Sequence, residues 1–176
     1  MILVKCRLCD KKKLFEFLDL GFHPPSDQFK KKDEINFPTL YYPLKVYSCE
    51  SCGFKQLNYV VKPEILYQEN YPYESSLTKT GKIHWKEFAD AAVKDYNLIK
   101  NDLAVDIGSN TGVLLESFKN NKLKIVGVDP AQNICKIANR SGIPTINSFF
   151  DLKTVEKIVR KYGKAKIITG TNVFAH

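Results

Sequence analysis

Two pairs of cysteines with the same spacing constrain the N-terminal third of the chain, Cys6-Arg-Leu-Cys9 and Cys49-Glu-Ser-Cys52. Two intervening residues allow both thiolates of a pair to face one ion, and two pairs complete the four-sulfur tetrahedron of structural zinc. Gly53 follows the second pair, where a tight turn favours a positive φ. Because four thiolates leave no coordination position open, we expect a structural zinc ion, bound by Cys6, Cys9, Cys49 and Cys52.

Two disulfides or two redox motifs are the alternative interpretations of these cysteines. The apolar run Met1–Val4 is too short for a signal peptide, and no apolar run approaches the ~20 residues of a membrane span. We therefore expect a cytoplasmic protein that does not act at a membrane, and a reducing compartment disfavours disulfides. A redox motif is not expected to occur twice. The fifth cysteine, Cys135, is expected to be a small buried hydrophobic residue.

The formal charge of +8 does not by itself indicate a nucleic-acid partner. Of the 27 basic residues, only Arg7, Arg140 and Arg160 are arginine, the residue that grips phosphate and guanine with a planar fork. The positive charge is expected to be mainly a solvated surface, and attraction of an anionic ligand is the alternative. Nucleic acid is therefore not expected as a partner.

Apolar runs alternate with helical patterns from residue 101 onward. The patterns predict strands over 103–107, 124–128, 144–147 and 165–169, and helices over 112–119, 131–140 and 151–162. Alternation of this kind is typical of an α/β fold, in which right-handed helical crossovers connect parallel strands. The ligand of such a sheet binds at the carboxyl ends of its strands.

Residues 1–62 have a different character, with short apolar runs that are broken by prolines. They predict a zinc module of loops and short strands, in which the ion contributes much of the folding free energy. Residues 63–100 are expected to form an aromatic-rich connector and then a helix over 78–99. The apolar face of that helix is predicted to consist of Phe88, Ala92, Tyr96 and Ile99.

A turn of acidic and small residues follows the first predicted strand, Asp106-Ile-Gly108-Ser109-Asn110-Thr111-Gly112. A dinucleotide fingerprint requires glycine at positions 108, 110 and 113, and this chain has glycine only at the first, so NAD is disfavoured. Asp106 would also repel a pyrophosphate. The same carboxylate suits a cationic ligand with an amino group, such as S-adenosylmethionine.

Further residues of this region are expected to bind the same cofactor. Gly108 and Gly112 would let the backbone approach its methionine and ribose portions. Asp129, at the end of the second predicted strand, would accept the two ribose hydroxyls. Phe149 or Phe150 could pack on the adenine face, and a core position is an equally good interpretation of either.

Three blocks of sequence together resemble a known family. They are the cysteine pairs with Leu20-Gly-Phe-His-Pro-Pro25 between them, Tyr71-Pro-Tyr-Glu-Ser-Ser76, and Asp106–Gly112 followed by Asn172-Val-Phe-Ala-His176. The family is that of the zinc-binding class I methyltransferases that add a C-methyl group to nucleotide-linked 4-keto deoxysugars. The resemblance implies a Rossmann-like sheet of the class I methyltransferase type over 101–176, with S-adenosylmethionine as cofactor.

The resemblance also implies a mechanism and the residues for it. A base removes the proton next to the ketone, and the enolate attacks the sulfonium methyl group. Tyr71 and His176 would lie in the substrate pocket, and Asn172 would join Ser109 and Asn110 among the cofactor contacts. The zinc ion would take no part in the chemistry.

Members of that family continue beyond the position of His176, with more of the sheet and a C-terminal domain that holds much of the sugar nucleotide. We therefore expect an incomplete methyltransferase domain that does not catalyse the reaction alone. A C-terminal remainder of the enzyme, or a complementing chain, would be a partner. A zinc-ribbon ribosomal-RNA methyltransferase and a non-catalytic protein that binds S-adenosylmethionine or zinc are the alternative functions.

Overall fold

The computed structural model describes residues 2–26, 28–68, 71–75 and 77–174. The chain divides into two compact units, Met1–Leu66 and Tyr67–His176. In the part of the chain that the structure describes, no helix is both long and apolar enough to cross a lipid bilayer.

The first unit contains a three-stranded antiparallel sheet in the order β1-β2-β3, with β1 Leu14–His23, β2 Tyr42–Cys49 and β3 Lys55–Leu57. The prediction of only short strands is wrong here, because β1 has ten residues and β2 has eight. Their pairing is long-range and has two register shifts, so local patterns do not reveal it. Pro43, which suggested a break, lies inside β2 opposite Phe22.

The second unit begins at Tyr67, the last residue of the short helix α1 Pro63–Tyr67, and contains a long helix, α2 Lys79–Asp95. Thr78 caps α2, since its Oγ1 accepts the backbone N–H of Gly81 at 3.1 Å. The predicted apolar face is wrong in part: Tyr96 is 68% exposed and Ile99 is 69% exposed, and both lie beyond the end of the helix. The buried residues of α2 are Ala89 and Ala92.

Strands and helices then alternate as the sequence predicts. They are β4 Leu103–Ile107, α3 Val113–Asn120, β5 Lys124–Asp129, α4 Gln132–Arg140, β6 Thr145–Asn147, α5 Leu152–Tyr162 and β7 Ile167–Thr169. All the strand pairs of this sheet are parallel, in the order β6-β5-β4-β7. The prediction of an α/β fold with a parallel sheet is therefore confirmed.

Apolar side chains cover both faces of this sheet, which explains why β4 and β5 are continuous apolar runs. On one face, Ala104 and Ile125 pack with residues of α2, α3 and α4, including Phe118. On the other face, Val105 and Val126 pack with α5. The two layers of helices leave the carboxyl ends of the strands as the place for a site.

Candidate zinc and cofactor sites

The four cysteines of the two pairs come together in the first unit. Their Sγ atoms all lie within 4.8 Å of one another. The Sγ atoms of Cys6 and Cys52 are 3.6 Å apart, as are those of Cys9 and Cys49. A tetrahedral zinc ion with Zn–S bonds of ~2.3 Å places its sulfurs roughly 3.8 Å apart. The donor set and its spacing therefore fit zinc, and four thiolates make a closed structural site.

The two cysteine pairs lie on turns with the same backbone hydrogen bonds. The N–H of Asp10 donates to the carbonyl of Cys6, and the N–H of Gly53 donates to the carbonyl of Cys49. Asp10 and Gly53 therefore hold equivalent positions, and both have positive φ, at 58° and 74°. Gln56 also fixes the first turn, because its side chain accepts the N–H of Arg7 and donates to the carbonyl of Lys5.

Ionisation of the four thiols depends on compensating charge. Burial raises the pKa of Cys49, but backbone N–H groups of Cys52 and Ser51 outweigh this effect and lower the pKa to about 7. The backbone N–H of Phe54 lowers the pKa of Cys52, whereas burial and the other thiols raise it to about 12. A divalent cation would stabilise the four thiolates together.

Asp129 lies at the carboxyl end of β5 and is 6% exposed. Its Oδ2 accepts the backbone N–H of Asn110 and its Oδ1 accepts that of Ala131, each at 2.9 Å. Burial raises the pKa of Asp129, and these two N–H groups oppose the rise. Because a carboxylate has about four acceptor positions, the fixed side chain can still accept the two hydroxyls of a ribose.

Asp106 lies in the neighbouring strand β4 and is 3% exposed. Its Oδ1 accepts the hydroxyl of Thr169 from β7 at 2.7 Å. Burial raises the pKa of Asp106 to about 6; the Thr169 hydroxyl opposes this, and the charge of Asp129 adds to it. Because the side chain of Asp106 is buried, it would act on a ligand through its negative charge more readily than through a direct hydrogen bond.

The glycines of the turn are packed against other side chains of the second unit. A Cβ on Gly108 would lie 2.6 Å from Val173, and one on Gly112 would lie 2.6 Å from Ile143. Both glycines also have positive φ, at 64° and 85°. Protein packing and backbone conformation thus account for these glycines, and the close approach of a cofactor to them stays a prediction.

The side chains of Ser109 and Asn110 face other residues of the second unit. The Ser109 hydroxyl is buried without a hydrogen-bond partner among the described residues, and it occupies the space that a side chain at Gly127 would need. The Asn110 side chain binds the segment 71–75: its Oδ1 accepts the N–H of Ser75, and its Nδ2 donates to the carbonyl of Tyr73, both at 2.9 Å.

The remaining predicted residues are less closely defined. Phe149 is half-buried, and its carbonyl accepts the hydroxyl of Thr154 at 3.0 Å. Asn172 has a φ of 55° in the turn over 171–174. Tyr71 is half-buried, with its ring 6.2 Å from that of Tyr67. His176 lies outside the described residues.

The comparisons with known proteins agree with the zinc geometry. Residues 6–67 match the family model described as "Putative zinc binding domain". The domain holds all four cysteines that the structure brings together.

The similarity extends beyond the zinc-binding domain. The chain is 32% identical to the C-methyltransferase NovU of Streptomyces niveus over 173 residues, which are 98% of this chain and 41% of that protein. The chain thus spans about two fifths of the length of this curated relative. The chain was also compared with the crystal structure of an S-adenosylmethionine-dependent methyltransferase from Agrobacterium tumefaciens. The two match over 81% of this chain and 45% of that one, with 13% identity and a TM-score of 0.40.

Sequence reasoning missed three polar residues of the second unit. Thr169 ends β7 and donates to Asp106, and the rule that ligand-binding residues follow parallel strands could have found it. Ser75 bonds to Asn110 and Thr111. Asn133 bonds to both backbone groups of Tyr71. The last two sets of contacts join distant parts of the sequence, so no local pattern signals them.

Proposed function

We propose that the chain holds the cofactor site of an S-adenosylmethionine-dependent C-methyltransferase that acts on a nucleotide-linked 4-keto deoxysugar. The observation that carries the proposal is the pair of buried carboxylates, Asp106 and Asp129, at the carboxyl ends of adjacent parallel strands. For the chain itself the proposal is cofactor binding. Methyl transfer is proposed for the chain together with a C-terminal remainder of the enzyme or a complementing chain.

The charge of the site supports this cofactor over a dinucleotide. Two carboxylates beside one turn create a negative potential, which repels a pyrophosphate and attracts a sulfonium or an ammonium group. Asp129 would bind the ribose hydroxyls, since its side chain is already oriented by two backbone N–H groups. Asp106 would contribute through its charge from beneath the turn.

The name of the relative supports carbon as the methyl acceptor, since NovU is a C-methyltransferase. When bound, S-adenosylmethionine supplies an electrophilic methyl group. The sugar is proposed from the sequence motifs. A base would remove the proton beside its ketone, and the resulting carbanion would bond to the methyl carbon as the methyl–sulfur bond breaks, with S-adenosylhomocysteine as the leaving group. Tyr71 and His176 are proposed to face the oxyanion of the deprotonated sugar and stabilise it.

Isothermal titration calorimetry of the zinc-loaded chain tests the cofactor. We expect S-adenosylmethionine and S-adenosylhomocysteine to bind and NAD not to bind. Asp129→Ala is expected to weaken binding of both at least tenfold, because hydrogen bonds to a charged group are lost. Asp95→Ala, which removes a carboxylate from the exposed end of α2, is the matched control and should bind normally.

Two results would contradict the proposal. One is unchanged affinity in Asp129→Ala, and the other is preferential binding of NAD by the unmodified chain. The fluorescence of Trp85, which packs against the core of the second unit, shows whether Asp129→Ala is folded. Asp129→Asn provides a second variant, because it retains the size of the side chain and removes its charge.

A further inference from the structure

The connector segment 71–75, named here the strap, is attached at both of its ends to other parts of the second unit. At one end, the N–H of Tyr71 donates to Oδ1 of Asn133 at 3.2 Å, and Nδ2 of Asn133 donates to the Tyr71 carbonyl at 2.8 Å. One side-chain amide thus satisfies both backbone groups of one residue, as a neighbouring strand would. Such two-point bonding fixes the orientation of the peptide as well as its position.

Asn110 attaches the other end of the strap. Its side chain binds the N–H of Ser75 and the carbonyl of Tyr73, as described above. The hydroxyl of Ser75 adds a hydrogen bond with that of Thr111 at 3.1 Å. Asn110 has a φ of 50°, a conformation that asparagine tolerates better than most residues.

Both attachment points are connected to Asp129. The backbone N–H of Asn110 donates to one carboxylate oxygen of Asp129. Asn133 lies in the first turn of α4, and the residue that precedes this helix, Ala131, donates its N–H to the other oxygen. The contacts that orient the proposed ribose-binding carboxylate therefore also set where the strap is held.

We infer that the strap retains the bound cofactor, and that Asn133 is a positioning residue that holds Tyr71 beside it. This inference rests on the proposed function. Asn133 does not touch the reacting atoms; it acts through the backbone of Tyr71. Opening either end of the strap speeds release of the cofactor.

Two variants open the two ends separately. Asn133→Ala removes both bonds to Tyr71. Asn110→Gly removes the side-chain bonds to the strap and leaves a residue that adopts positive φ without strain. Gln132→Ala is the matched control, since it removes an exposed amide from the same turn of α4.

Amide hydrogen exchange, measured by NMR on the zinc-loaded chain without cofactor, tests the attachment. Asn133→Ala is expected to speed exchange at Tyr71 at least tenfold and leave Ser75 unchanged. Asn110→Gly is expected to do the reverse, and Gln132→Ala to change neither. Unchanged exchange at Tyr71 in Asn133→Ala would overturn the inference, whether or not any cofactor binds.

Stopped-flow release of S-adenosylhomocysteine tests the consequence. We expect release to be about tenfold faster in both strap variants, as the loss of two ordinary hydrogen bonds predicts, with Trp85 fluorescence unchanged. Faster exchange with unchanged release would overturn the retention role. Failure of the unmodified chain to bind the ligand would refute the proposed function instead, and the exchange data would still decide how the strap is held.

Discussion

Asp106 is buried beside a second carboxylate, so its ionisation costs free energy in the folded chain. The Thr169 hydroxyl compensates only in part, because the pKa remains at about 6. Between the ordinary value of 3.8 and 6, the folded chain binds a proton at Asp106 more tightly than the unfolded chain does. The free energy of unfolding therefore falls as the pH rises through this window and then levels off.

Asp106→Asn is expected to remove most of this fall in the free energy of unfolding with rising pH. The variant should be more stable than the unmodified chain above pH 6 by about 3 kcal/mol, the value of a two-unit shift, and equally stable near pH 4. The amide that replaces the carboxylate can still accept the Thr169 hydroxyl. Urea unfolding followed by Trp85 fluorescence from pH 4 to 8 measures this difference, and parallel curves for the two proteins would refute the assignment.

Gly127 and Ser109 form a packed pair, in which the serine takes the space of the missing side chain. A Cβ at Gly127 would lie 2.9 Å from the Cβ of Ser109. Gly127→Ala is therefore expected to destabilise the chain by about 1–3 kcal/mol through overpacking. Adding Ser109→Gly should recover part of that loss. A double-mutant cycle in urea measures the coupling, and simple additivity of the two changes would contradict it.

At the scale of elements, local sequence signals located the second unit well. The helix that was predicted over 151–162 is α5, with Asp151 as its N-cap and Gly163 as its C-cap. Apolar runs likewise predicted β4 and β5. A strand that is buried on both faces is a continuous apolar run, so its own sequence is enough to identify it. The lengths of β1 and β2 were underestimated, because strands that pair across a long and irregular segment leave no local pattern in the sequence.

The buried face of α2 can be tested by substitution. Ala89 is fully buried, so Ala89→Leu is expected to overpack the contact with α3 and destabilise the chain by about 1–3 kcal/mol. Tyr96→Ala and Ile99→Ala, on the exposed residues of the predicted face, should change stability by less than about 0.5 kcal/mol. Thermal unfolding of the three variants shows which of these residues are packed in the core. A larger loss of stability in Tyr96→Ala and Ile99→Ala than in Ala89→Leu would support the face predicted from the sequence.

At the scale of the whole molecule, the chain combines a metal-dependent unit with one that has an apolar core of its own. The cysteine pairs allowed zinc to be predicted from sequence, because four thiolates in this spacing have few other uses. The cofactor contacts stay predictions, because the glycines and Asn110 of the turn after β4 also contact protein. A cytoplasmic location and a sugar-nucleotide partner stay predictions.

Removal of zinc is expected to affect the two units differently. A strong chelator should unfold the first unit, since its sheet leaves many large apolar side chains exposed and the ion is expected to supply much of its folding free energy. The single tryptophan, Trp85, lies in the second unit, so its fluorescence should not change. Circular dichroism and fluorescence measured together test this, and loss of both signals would show that zinc supports the whole chain.

The packing of glycines 108, 112 and 127 has a consequence for how such a turn can diverge. Each lacks a side chain where Val173, Ile143 or Ser109 occupies the space. A mutation that enlarges one of these glycines requires its neighbour to shrink first, and at positions 108 and 112 it also requires a residue that tolerates a positive φ, such as asparagine. Lineages in which Val173 or Ile143 has become alanine are where departures from the motif would first be expected.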